Sequence, residues 1–154
     1  MQRFSFTAVF RLSMVLLASF MALGAQTSTS AGQITPEQAR KVAILVARHD
    51  AIALDTDTVV DSMDGNGAFV PGYFSFIIIA VDQHSPGKDK TLAMYAVSSQ
   101  TGDTWELNLC KHYDFPELER VQKSIRKKTG AHMGDQATAL KSMGCDKQQE
   151  SMNN

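Results

Sequence analysis

The side chains in this chain that could do chemistry are four histidines, two cysteines, a series of aspartates and a single tryptophan. His49, His84, His112 and His132 are isolated from one another, with no HxH or HExxH pair to seat a metal. A Ser–His–Asp set can be drawn on paper, but no GxSxG elbow presents a nucleophile. Glu106 is a lone carboxylate without an acid–base partner in sequence. The glycines in GNG (65–67) and TGD (101–103) have turn spacing and do not form a GxxxxGK or GxGxxG phosphate loop. Asp50, Asp55, Asp57, Asp61 and Asp64 invite a calcium reading, but the EF-hand pattern and its closing glutamate are absent. These aspartates read as cap and turn residues. No catalytic residue, no metal site and no cofactor is expected.

Three features remain that could serve binding or stability. Cys110 and Cys145 lie outside any CxxC motif, so neither redox nor zinc chemistry is indicated. In an exported chain the pair is expected to form one disulfide, the alternative being two free thiols. Lys111, Arg120, Lys123, Arg126, Lys127 and Lys128, with His112, are a local excess of positive charge. They are either a docking face for an acidic partner or a solvated helix face whose cations suit the helix dipole. Glu117 and Glu119 dilute the charge, and no aromatics interleave it as single-stranded nucleic acid would require. Tyr73, Tyr95 and Trp105 either fill a core or line a pocket between the first helix and the sheet.

The elements that position these residues begin after an amino-terminal segment of a different kind. Arg3 and Arg11 precede LSMVLLASFMAL, an apolar run of 12 residues, and small residues follow. A membrane span needs about 20 residues, so 1–25 reads as a secretory signal peptide with cleavage between 24 and 31. No membrane anchor is expected to remain after its removal. All 16 acidic residues but only 13 of the 15 basic ones lie beyond residue 25, leaving a mature charge of −3. That balance argues against general affinity for nucleic acid or anionic membranes. Residues 26–33 read as a flexible leader, 34–147 as a single domain and 148–154 as a disordered tail.

Within the domain, ITPEQARKVAILVARHD has Thr35 as N-cap, Pro36 at the first helical position and Gln38 completing a capping box. Ala39, Val42, Ala43, Val46 and Ala47 recur at helical spacing. Val59 and Val60 suggest a strand near 57–62, and DGNG a turn. GYFSFIIIAVD (72–82) reads as a central strand apolar on both faces, with Phe74, Phe76, Ile78 and Ala80 opposite Tyr73, Ile77, Ile79 and Val81. A second cover is therefore expected from helix 115–129, from the Cys145 tail or from a second subunit. TLAMYAVSS and TWELNLC form a hairpin about QTGD, with Trp105, Leu107 and Leu109 on one face. Asp114 is expected to cap helix 115–129, whose apolar stripe is Phe115, Leu118, Val121 and Ile125. A short helix is expected at 136–143. The fold class is α+β, an antiparallel sheet of 3–4 strands with an N-terminal helix packed on it and a second helix after the hairpin.

The helix ITPEQARKVAILVARHD followed by MYAVSSQTGDTWEL resembles the PepSY domain, a module of peptidase propeptides and exported bacterial proteins. Thr35, Glu37 and Ala39 match its helix opening; Tyr95, Val97, Thr101 and Gly102 match its last hairpin. The acidic 50–72 segment, the basic helix and the cysteine-bearing tail depart from that pattern. The resemblance implies a helix on an antiparallel sheet and a binding or inhibitory role without catalysis.

The residues and the resemblance together lead to a periplasmic or secreted non-catalytic binding module. Its partner is expected to be a protein, with inhibition of an envelope or extracellular hydrolase, or toxin immunity, as its role. A small enzyme or ligand carrier with a pocket near Trp105 is the alternative, and assembly through an exposed sheet edge, including a dimer, a third reading.

Overall fold

The computed structural model describes residues 32–146, apart from Asn66 and Pro86. The expected signal peptide, nearly all of the leader and the tail at 148–154 lie outside the described residues. Chain order is α1 (Pro36–His49), β1 (Thr58–Ser62), β2 (Tyr73–Ala80), β3 (Lys90–Ser98), β4 (Thr104–Glu106), β5 (Lys111–His112), α2 (Pro116–Thr129) and α3 (Gln136–Ser142). The strands form one antiparallel sheet in sequential order, an α+β fold.

The α1 helix starts where its sequence says. The Thr35 hydroxyl accepts from the Gln38 N–H at 3.2 Å, and the Thr35 N–H donates to Gln38 Oε1 at 3.0 Å. Both bonds satisfy N–H groups that a helix start otherwise leaves unpaired. Ala39, Val42, Ala43, Val46 and Ala47 are buried against Phe76, Ile78, Ala93, Tyr95 and Val97 of β2 and β3. Small alanines permit that close approach of helix to sheet.

The α2 helix lies on the same side of the sheet. Its Leu118 and Ile125 join the α1 core, and Phe115 stacks on His49 with ring centroids 3.9 Å apart. The Thr129 hydroxyl donates to the Gln100 carbonyl at 2.8 Å, tying the other end of α2 to the β3–β4 turn. That turn has Gly102 at φ 71°, and a Cβ there would sit 2.6 Å from Ile125 Cδ1. Only glycine meets both the left-handed backbone and the close approach of α2.

The two-faced β2 strand receives its second cover only in part. Tyr73 packs with Trp105, Leu140, Cys110, Ala139, Met143 and Cys145, so α3 and the cystine seal one end of the outer face. Ile77 and Ile79, on that same face, remain half-buried. The expectation that helix 115–129 might cover this side is corrected: it lies beside α1, because its stripe meets Val42 and the Gly102 turn.

Three further corrections concern local structure. The strand after Trp105 stops at Glu106, and Leu109 is 71% exposed rather than aligned with the indole. The Glu106 carboxylate accepts from the Leu109 N–H, and Cys110 adopts φ 51°, so the backbone turns instead of extending. A fifth strand, β5, follows that turn; at two residues it carries no readable periodicity. The N-cap of α2 is Phe115, with no side-chain cap, and not Asp114. Pro116 takes the first helical position, where its missing N–H costs nothing.

Candidate functional site

The sequence offered three aromatic rings as a possible pocket. The register separates them: Tyr95 pairs with Phe76 on the α1 side, whereas Trp105 pairs with Ala96 on the outer side. Adjacent strand positions point to opposite faces, so these rings share no cavity. Tyr73 and Trp105 lie together in the α3 cluster and Tyr95 in the main core. The pocket expected between α1 and the sheet is closed by packed side chains.

Each aromatic group sits in its own polar cluster. At the C-terminal end of α1, Asp50 Oδ2 accepts from the hydroxyls of Tyr95, at 3.1 Å, and Tyr113. Asp50 Oδ1 meets Lys111 Nζ at 3.2 Å, and the same ammonium lies 4.3 Å from the Tyr113 ring centre. Burial pushes the Asp50 carboxyl upward, but hydrogen bonds from Tyr113, Lys111 and Tyr95 outweigh it and hold it below the usual range. Burial, reinforced by Asp50, raises both phenols above the ordinary tyrosine value. The result is a fixed acceptor with fixed donors, a clasp between α1, β3 and the residue after β5. Its carboxyl and its two phenols are shifted away from neutrality, not toward it.

Across the sheet, the indole N–H of Trp105 donates to Asp103 Oδ2 at 3.0 Å. The other oxygen of Asp103 meets His112 Nε2 at 2.6 Å, and the His112 ring lies against the indole at 4.8 Å between centroids. Cys110 and Cys145 are joined, pinning the end of α3 over this cluster. Burial, with the Asp103 charge, pushes the Tyr73 hydroxyl up to about 12.

The hydrogen bond that His112 donates to the Asp103 carboxylate raises the His112 pKa, with burial opposing it. A histidine pKa raised by folding contributes stability that is fully present below its unfolded value and fades as pH rises through the folded value. The wild-type urea midpoint is therefore expected to fall between pH 5.5 and pH 8.5 by more than that of His112→Gln. Equal pH slopes for the two proteins would show that the Asp103–His112 pair is not linked to folding.

The basic residues predicted from the sequence are divided by the structure. Lys111 belongs to β5 and is engaged with Asp50. Arg120 pairs with Glu117 at 3.0 Å, but both side chains are more than half exposed, so the pair holds weakly. Arg126 contacts Met133 Sδ at 3.1 Å, and Lys123, Lys127 and Lys128 are exposed on α2. Among the described residues, none of Lys123, Lys127, Lys128 and Lys41 of α1 takes part in an ion pair.

Between α1 and α2 runs an open groove of ≈ 520 Å³. Val42, Leu45, Val121 and Ile125 form its apolar part, and Lys41 and Arg120 stand on its two walls. No aspartate or glutamate lines it. The sequence does not single out Lys41, one of three lysine or arginine residues on the amphipathic α1. Its position opposite Arg120 depends on which helices are neighbours, which periodicity does not reveal. Asp50 and Asp103 were likewise read as cap and turn residues, and their tyrosine, lysine and histidine partners become visible only in three dimensions. Among the described residues, no group of three histidine, cysteine or acidic side chains could hold a metal ion. No helix among them is long and apolar enough to cross a membrane.

Comparison with known proteins corrects the PepSY resemblance. The capped helix and the Thr-Gly hairpin behind it are present, but these two devices recur in many folds. Residues 33–137 match the model of a different family, the T6SS immunity protein Tgi2PP. The match stops inside α3, so Leu140 and Cys145 lie beyond it. The chain is also similar to a chain in the structure of a type VI secretion system effector–immunity complex from Pseudomonas protegens. The two are 28% identical with a TM-score of 0.66, over 77% of this chain and 94% of that one. No curated protein matches the chain. With more than half of its length matched by the family model, the chain belongs to the T6SS Tgi2PP immunity-protein family, and its role is that of a binding protein rather than an enzyme.

Proposed function

We propose that this protein protects its cell by binding a type VI secretion effector, a hydrolase of the cell envelope, and holding it inactive in the periplasm. The observation that carries this reading is the family match across 33–137, the whole of α1, the sheet and α2. The likeness to a chain of an effector–immunity complex supports it. An apolar amino-terminal run and a cystine suit an oxidising compartment outside the cytoplasm, where an envelope hydrolase would act.

The test is co-expression. Among the type VI effectors of the same genome, each directed to the periplasm, one is expected to lyse cells that lack the chain and to spare cells that carry it. The purified pair should then form a complex by size-exclusion chromatography. Lysis unaffected by the chain, with no complex formed, would overturn the reading.

A further inference from the structure

Resting on the effector-binding reading, we propose that the groove between α1 and α2 is the effector's docking site, and that it takes an acidic segment of the effector carrying apolar side chains. Lys41 and Arg120 come from different helices and face the same trough. Two cations facing one trough make it attractive to an anion. No carboxylate lines the trough; Glu117, the acidic partner of Arg120, lies outside it and is mostly exposed. The field is extended by Lys123, Lys127 and Lys128, and α2 has no acidic residue after Glu119.

The floor decides what kind of anion fits. Leu45 and Val121 present part-exposed methyl groups above the buried Val42 and Ile125, and a free inorganic ion would leave them in contact with water. A polypeptide segment satisfies both features, with carboxylates for the two cations and apolar side chains for the floor. The exposed carboxylates near β1 point the same way. Asp55, Asp57 and Asp61 are exposed around β1, which makes that edge less favourable to an acidic segment than the cations of α2.

The experiment measures effector affinity by calorimetry with the full mature chain and the effector that the co-expression test identifies. Lys41→Glu with Arg120→Glu is expected to weaken binding by about 30-fold or more, since unpairing desolvated charges across an interface costs that much or above. Lys41→Ala with Arg120→Ala should weaken it less and flatten its dependence on salt. Asp61→Lys, on the opposite side of the sheet, should leave affinity within about threefold, as rim or non-contact charges do. All variants alter exposed positions and are checked for folding by circular dichroism. Wild-type binding with unchanged affinity in the charge-reversed variant would overturn the groove while leaving the immunity role intact. A change of oligomeric state in that variant, with effector affinity unaltered, would assign the groove to a second copy and also overturn it. Failure of the wild type to bind would instead strike the functional reading itself.

Discussion

Cys145→Ser is expected to lower stability by about 4 kcal/mol, the chain-entropy value for cysteines 35 residues apart. The cystine does more than shorten the unfolded chain. Helix α3 has seven residues, too few to persist on its own, and only Leu140 and Cys145 are fully buried at this end of the chain, with Ala139 and Met143 partly buried beside them. Once the bond is lost, α3 is expected to leave the sheet and expose the indole of Trp105. Urea unfolding should show a lower midpoint, and the tryptophan emission of the folded variant should shift to the red. The Cys110→Ser, Cys145→Ser double variant should match the single one, since both lose the same link. An unchanged midpoint with unshifted emission would mean that α3 holds by packing alone. The consequence reaches function: in a reducing compartment the protein would lose the cover of its outer sheet face.

Trp105→Ala is the second large effect, with an expected loss of about 3–5 kcal/mol for deleting a buried tryptophan. The ring is 1% exposed and touches Tyr73, Leu140 and the cystine. Its removal leaves a void under α3 and takes from Asp103 the donor on one of its oxygens. Trp105→Phe should recover part of the loss by restoring an aromatic ring without the N–H. Equilibrium unfolding of the two variants separates packing from hydrogen bonding. A loss below about 1 kcal/mol for alanine would contradict a sealed cluster, because surface sites typically cost no more than that. The α1 core is on the other side of the sheet, so helix content should be retained in both variants under native conditions.

The main elements were legible because each is signalled locally. The first helix declares itself through Thr35, Pro36 and Gln38, and its buried face through five residues at helical spacing. The β2 strand and the Gly102 hairpin are similarly written in β-branched residues and one obligatory glycine. Misreadings arose where a contact distant in sequence overrides the local pattern. Leu109 alternates correctly with Trp105, yet a hydrogen bond to Glu106 turns its backbone out of the sheet. The same limit applied to the PepSY resemblance, which rested on two local devices and none of the contacts between them.

The candidate site was half legible. The cations of α2 stand out in the sequence as a run with acidic residues only at its start. Lys41 does not, because it is one of three basic residues on an ordinary amphipathic helix. Only the antiparallel packing of α2 beside α1 makes Lys41 and Arg120 walls of one groove.

By itself the sequence determined the α+β class, the helix start at Thr35, the strands around Ile78 and the absence of familiar catalytic motifs, since all of these follow from short-range sterics, capping and side-chain periodicity. The tertiary structure alone decided that Tyr95 and Trp105 look to opposite faces, that Asp50 gathers two phenols and an ammonium, and that two helices share one side of the sheet. Those outcomes depend on register and on which surfaces meet. A one-residue change of register reverses every side chain, and no local energy along the chain reports which distant surface will be its neighbour.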